Sequence, residues 1–141
     1  MNRGGRLFLP SVMVQYNNEE RELLFAKVRA KTIDGKWTGG LAKGRPICFV
    51  STKVARADMS RTKKPKLTAK SGVHVAHVVL VMNGQFPQED EQASHLCHNG
   101  ACIKLQHLRW ESAGHNMRRA HCQREGECVC RLDPPCLMRC E

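Results

Sequence analysis

The sequence predicts a small α+β fold, and three observations predict it. Residues 17–31 (NNEERELLFAKVRAK) read as a helix, the runs RPICFVSTKVAR (45–56) and VHVAHVVLVM (73–82) have strand composition, and a second helix is expected from Trp110 to about Ala120. In the first helix Asn17 or Asn18 can cap, acids fill the first turn, and Lys and Arg stand towards the end. Leu23, Leu24, Ala26 and Val28 give it an approximate apolar face. DGKWTGGLAKG (34–44) is glycine-rich and reads as turns around a short strand. The 73–82 run, rich in valine with His74 and His77 alternating, is the strongest strand signal. Its histidines are expected to be surface or half-buried strand residues. NGQFPQEDEQ (83–92) is a polar connector, and from Cys122 onwards the chain loses periodicity and gains two adjacent prolines. The expected organisation is an N-terminal helix with turns, 1–44, followed by 45–141, which carries the metal-ligand motifs; together they are expected to form one compact domain.

A chain of 141 residues with 41% hydrophobic side chains builds a single modest core. Lys and Arg total 23 against 13 acids, a formal charge of +10, which favours polyanionic partners: nucleic acid first, an anionic membrane second. The densest basic run is RTKKPKLTAK (61–70). No apolar run approaches the roughly 18–20 residues of a membrane helix. The start, MNRGGRLFLPSVMVQY, has a short apolar stretch interrupted by Pro10 and no small-residue cleavage site, so it reads as part of the domain and not as an export signal. The eight cysteines are therefore expected to be reduced and open to metal, with disulfides as the second reading.

The segment SHLCHNGACIKLQHLRWES (94–112) sets Cys97, Cys102 and His107 at C-x4-C-x4-H. Thiolate and imidazole are the donors that tetrahedral zinc prefers, and three of them within eleven residues can wrap one ion. The fourth must come from elsewhere. Cys48 is the only cysteine upstream, and from it the ion would staple an early strand to a late loop. HCQREGECVCRLDPPCLMRC supplies Cys122, Cys128, Cys130, Cys136 and Cys140. Four of the five can close a second tetrahedron; Cys122, Cys128, Cys130 and Cys136 are preferred, with Cys140 the alternate. A disulfide pair or a tail of free thiols is the plainer reading of that segment.

ASHLCHNGACIKLQHLRWESAGHNMRRAHC (93–122) resembles the His-Cys box homing endonucleases. The SHLCHN opening, the C-x4-C-x4-H ligands, the HLxWES segment, the following Asn and a cysteine six positions beyond it carry the resemblance. It is close over 93–138 and holds only in outline upstream. It implies a ββα-metal (His-Me finger) nuclease fold with an antiparallel sheet, few helices and two structural zincs. The implied ligands are Cys48, Cys97, Cys102 and His107 for the first zinc. For the second, the family order of cysteines and one histidine gives Cys122, Cys128, Cys130 and Cys136; Cys130 stands where the family has the histidine, and Cys136 against Cys140 stays open.

The same resemblance implies a DNA endonuclease dependent on Mg²⁺. His95 would be the general base, since imidazole titrates near neutrality. Asn116 would offer magnesium a hard carbonyl oxygen, with the ion stabilising the leaving 3′ oxygen. Taken singly, His95 reads as a support for a zinc ligand and Asn116 as a cap or surface residue; their pairing within the motif favours catalysis. His98, in the turn, can touch phosphate, and His115 could replace a ligand in another helix register. An upstream arginine would face the scissile phosphate: Arg61 first, Arg56 second. Double-stranded DNA would lie on the sheet region ICFVSTKVARADMSRTKKPKLTAK, with Lys53, Arg56, Arg61, Lys63, Lys64 and Lys66 as contacts. Family members are homodimers held by a long C-terminal arm. This sequence ends at Glu141, so a homodimer formed that way is not expected, and a monomer would nick one strand. The alternative is a non-catalytic zinc-bound nucleic-acid-binding module of the same fold. The basic run and the need to reach chromosomal DNA give a nuclear location as the expectation.

Overall fold

Asn17 opens the long N-terminal helix with a reciprocal cap. Its side-chain oxygen accepts from the Glu20 amide at 2.8 Å, and the Glu20 carboxylate accepts from the Asn17 amide at 3.0 Å. In this computed structural model, which describes residues 6–7, 10, 12–50 and 71–140, a single turn α1 (Val12–Gln15) precedes that helix, α2 (Asn18–Lys31). Leu24 and Val28, one turn apart, are buried, whereas Leu23 and Ala26 are exposed. The apolar face is thus narrower than the composition suggests, because each residue turns the helix by about 100° and only the i, i+4 pair stays on the stripe.

Two short hairpins follow. β2 (Thr32–Ile33) pairs with β3 (Lys36–Trp37), and β4 (Leu41–Ala42) pairs with β5 (Arg45–Val50). Their two-residue turns, Asp34-Gly35 and Lys43-Gly44, all have positive φ (52°, 76°, 53° and 78°), the twist that matches antiparallel strands. β5 pairs antiparallel with β6 (Ser71–His74), setting Cys48 opposite Val73, and β1 (Arg6–Leu7) joins β6 in parallel. Among the described residues the sheet order is β1-β6-β5-β4.

The expected strand over 73–82 is corrected by the structure. The chain is extended only to His74 and then forms a helix, α3 (Val75–Met82), in which every residue from Val75 to Val81 is buried. An unbroken apolar run carries no period, so valine's strand preference decides the reading from sequence. A helix enclosed on all sides satisfies its own backbone and buries the same side chains. α3 packs against α2, β5 and β6. Met13, Tyr16, Leu24, Val28, Cys48, Val73, the α3 valines, Ile103, Leu108 and Trp110 share one core, so residues on both sides of position 44 contribute to it.

The last regular unit is β7 (Gln92–His95), β8 (Leu108–Glu111) and α4 (Ala113–Glu125). The strands are antiparallel, with His95 opposite Leu108 and Ala93 opposite Trp110. A loop joins them and ends in a 3₁₀ turn at Leu105–His107. The second helix therefore starts later than expected: Trp110 belongs to β8, where its indole donates to the Gln85 carbonyl at 2.8 Å. Ser112 caps α4 by accepting from the His115 amide at 3.1 Å. Gly126, in the left-handed region at φ 77°, closes that helix, and from there to Cys140 the chain has no regular helix or strand.

Candidate metal centres and catalytic cleft

In both groups of soft donors, the ligand atoms lie within 4.8 Å of one another: Cys97, Cys102, His107 and Cys140; and Cys122, Cys128, Cys130 and Cys136. A zinc tetrahedron with bonds of about 2.3 Å to sulfur and about 2.0 Å to nitrogen has edges of about 3.8 Å (S···S) and about 3.5 Å (S···N). The observed separations match that scale. Cys128 to Cys130 is 3.7 Å, Cys130 to Cys136 is 4.0 Å, Cys102 to the His107 Nδ1 is 3.4 Å, and Cys140 to the same nitrogen is 3.7 Å. Both sets can hold zinc.

Backbone amides support the sulfurs. The Val129 amide donates to Cys122 at 3.2 Å, that of Cys136 to Cys128 at 3.3 Å, and that of Lys104 to Cys102 at 3.5 Å. Burial pushes the Cys102 and Cys136 thiols up to about 12, and for Cys136 it outweighs the opposing hydrogen bond from the Arg119 guanidinium. A dication among the four donors reverses that balance and favours thiolate, so each site and its ion stabilise one another.

The first cluster differs from the sequence expectation in its fourth donor. Cys48 is not in it. On β5 it faces the main core, where burial raises its thiol to about 11, and it packs there as a small apolar side chain. Cys140 takes its place. The Leu137 amide donates to the Leu96 carbonyl at 2.8 Å, which lays the C-terminal tail along the 96–107 loop and brings Cys140 to His107. A signal for this was present, since the C-terminal segment holds five cysteines for a four-donor site.

His95, at the end of β7, and Asn116, in the first turn of α4, line one cleft of about 230 Å³, together with Arg45, His98, Met117 and Gln123. The His95 ring is held through its other nitrogen by a hydrogen bond to the Cys102 backbone, while its buried Nε2 has no partner among the described residues. Burial first, and then the Arg45 charge, lower its pKa to about 4, so at neutral pH the imidazole is uncharged and Nε2 carries a lone pair. His98 adopts a left-handed backbone (φ 61°) and likewise has a buried Nε2 without a partner among the described residues. The Asn116 amide is engaged at both ends: Oδ1 accepts from the Ser94 hydroxyl at 2.9 Å, and Nδ2 donates to the Gln92 side chain at 2.9 Å.

Lys53, Arg56, Arg61, Lys63, Lys64 and Lys66 fall within 51–70 and lie outside the described residues. The arginine that the structure does bring to the cleft is Arg45, the first residue of β5. Sequence reasoning passed over it because it stands beside a glycine turn and outside any basic run. His115 is exposed on α4 and takes no part in either cluster.

The ββα unit, the two soft-donor clusters and the His95–Asn116 cleft together define a zinc-stapled nuclease-type domain. Residues 55–141, well over half of the chain, match the family described as the zinc-binding loop region of homing endonuclease, and the chain belongs to that family. No curated protein and no solved structure matches it. Among the described residues no helix is long and apolar enough to cross a membrane.

Proposed function

We propose that the protein is an endonuclease that hydrolyses phosphodiester bonds in double-stranded DNA. The observation that carries this reading is the shared cleft. An imidazole whose lone pair has no partner among the described residues, a side-chain amide and a guanidinium face the same space. In the proposed step His95 Nε2 takes a proton from water, and the water oxygen attacks phosphorus. The bond to the 3′ oxygen breaks, and the leaving oxyanion is afterwards protonated from solvent. The hydrogen bond to the Cys102 backbone fixes the ring's tautomer and aim. Arg45 sits where its charge can neutralise the phosphate. Asn116 Oδ1 keeps a lone pair beyond its bond with Ser94, which fits an ion that takes a single protein oxygen. Magnesium bound there would stabilise the leaving oxygen. Arg61 or Arg56 and the neighbouring lysines of 53–66 would add phosphate contacts, and the need to reach chromosomal DNA would put the site of action in the nucleus.

One observation favours a second reading, a nucleic-acid-binding zinc module without cleavage: the Asn116 amide already satisfies both its ends within the protein. A plasmid assay separates the two. With magnesium, supercoiled DNA should be nicked or linearised. His95→Ala should lower the rate by about 10²-fold or more while leaving zinc content intact. A variant that cuts like the parent would refute the assignment of the base, and binding without strand breaks under any divalent ion would support the second reading.

A further inference from the structure

Ser94, Glu111 and Arg119 are 1%, 5% and 1% exposed, and none of them belongs to a cluster or lines the cleft. Arg119 donates to Glu111 in a two-pronged pair, Nε to Oε1 at 2.6 Å and Nη2 to Oε2 at 2.7 Å. An ion pair this deep gives little net stability compared with apolar side chains of the same volume, so its connections matter. On one side Arg119 reaches the second cluster: Nη1 lies 3.5 Å from Cys136 Sγ, and Nη2 donates to the Pro134 carbonyl at 2.8 Å. On the other side the Glu111 carboxylate is within hydrogen-bonding reach of Ser94, whose hydroxyl meets Asn116 Oδ1 at 2.9 Å. The five residues form a continuous chain, Cys136–Arg119–Glu111–Ser94–Asn116, from a cysteine cluster to the cleft.

A serine hydroxyl has one hydrogen and here has two acceptors to choose between. When it donates to Asn116 Oδ1, as in this structure, that oxygen is partly occupied and Nδ2 turns to Gln92. When it donates to the charged Glu111 carboxylate, a stronger charge-assisted bond, its oxygen offers only lone pairs to Asn116. The amide must then present Nδ2 to Ser94, and Oδ1 takes the outward position.

We propose that Ser94 is a positioning residue: governed by the buried Glu111–Arg119 pair, its hydroxyl selects which end of the Asn116 amide faces the cleft, and through Arg119 it ties that choice to the second cysteine cluster. This rests on the reading of Asn116 as the oxygen ligand of the cleft.

The test uses the full zinc-loaded chain. Ser94→Ala should raise the magnesium concentration for half-maximal nicking by about tenfold with KM for DNA unchanged, and Ser94→Thr, which keeps the hydroxyl, should recover most of the loss. Independently of cleavage, the side-chain amide resonances of Asn116, assigned by their disappearance in Asn116→Ala, should shift in Ser94→Ala. Arg119→Lys, which keeps the charge but cannot span Glu111 and Cys136, should move both readouts the same way. A purely structural role would lower thermal stability and leave both unchanged; wild-type half-saturation and wild-type Asn116 resonances in a folded Ser94→Ala or Arg119→Lys variant would overturn the proposal. If neither variant folds, the wild type decides: the Asn116 side-chain amide should show the restricted fast motion of a held group in its nitrogen relaxation, and the free motion of a solvated side chain would overturn it. Should Asn116→Ala cut like the parent, the ligand reading fails, and the amide resonances in Ser94→Ala still judge the relay.

Discussion

Cys48 and Cys140 are the same side chain put to different uses, and the difference lies in their surroundings. Cys48 points into an apolar core and stays protonated; Cys140 joins Cys97, Cys102 and His107. The expectation is therefore asymmetric. Cys140→Ser should cost one zinc equivalent or weaken retention of that ion sharply, because a hydroxyl is a poor substitute for thiolate. Cys48→Ala should leave metal content unchanged and reduce stability by about 1 kcal/mol through the small cavity it opens. Elemental analysis beside denaturant unfolding checks both, and loss of zinc from the Cys48 variant alone would reverse the assignment. At this scale the sequence is informative about chemistry and silent about distance. The C-x4-C-x4-H spacing marks three donors because they are close in the chain. The fourth is set by where a tail with no periodicity is docked, and the backbone hydrogen bond from Leu137 to Leu96 and the arginine contacts of α4 to the Cys130 and Pro134 carbonyls hold it there. Buried Arg119 and Ser94 left no mark at all, since nothing in a sequence distinguishes a buried arginine on a helix from a solvated one.

Elements were legible where their ends carry polar signals and illegible where they do not. The Asn17 cap and the acids after it locate α2 to within a residue, whereas α3 starts at His74 with no side-chain cap and has no polar face to give it a period. That enclosure has a cost readable in pH. His77 lies in α3, 8% exposed, with the Trp110 ring 5.2 Å away and His74 at 5.0 Å. Burial, then the nearby His74, His95 and Arg45 charges, lower its pKa to about 3 from an ordinary 6.5. Below pH 6.5 the unfolded chain therefore binds a proton that the folded chain refuses. Stability falls as the pH drops from 6.5 towards 3, by up to about 1.4 kcal/mol per pH unit from this one group. His77→Phe keeps the ring and removes the titration, so the variant should gain on the wild type at each step from pH 7 through 6 to 5 in denaturant midpoints. Acid release of metal affects both proteins alike and cancels in that difference; parallel pH profiles would show that His77 does not sense the core in this way.

The molecule as a whole has two cores of different kinds. The larger is apolar, built from α2, α3 and the sheet. The smaller gathers Cys122, Cys130 and Cys136, flanked by Cys128, Leu132 and Met138. The larger one is built from aliphatic and aromatic side chains of α2, α3 and the sheet and is expected to hold those helices together without a cation. The smaller one lies where residues 127–140 form no helix or strand, so the donors are what can order it. Beyond its backbone bond to Leu96, the tail meets the rest of the protein through Arg118 and Arg119, which donate to the Cys130 and Pro134 carbonyls, and through Cys140 in the first cluster. Removing the ions should therefore not unfold the chain in one step. A chelator should release the C-terminal segment and the 96–107 loop first, leaving α2 and α3 helical. Trypsin should then cut at Arg131 and Arg139, exposed in a segment that has lost its order, well before it cuts Arg29 or Lys31 at the end of α2. Far-UV circular dichroism should keep most of its helical signal over the same interval, and added zinc should restore protection. Cleavage at all four sites together, with collapse of the helical signal on chelation, would mean instead that the two cores fold as one and that the apolar core depends on the metal as fully as the tail does.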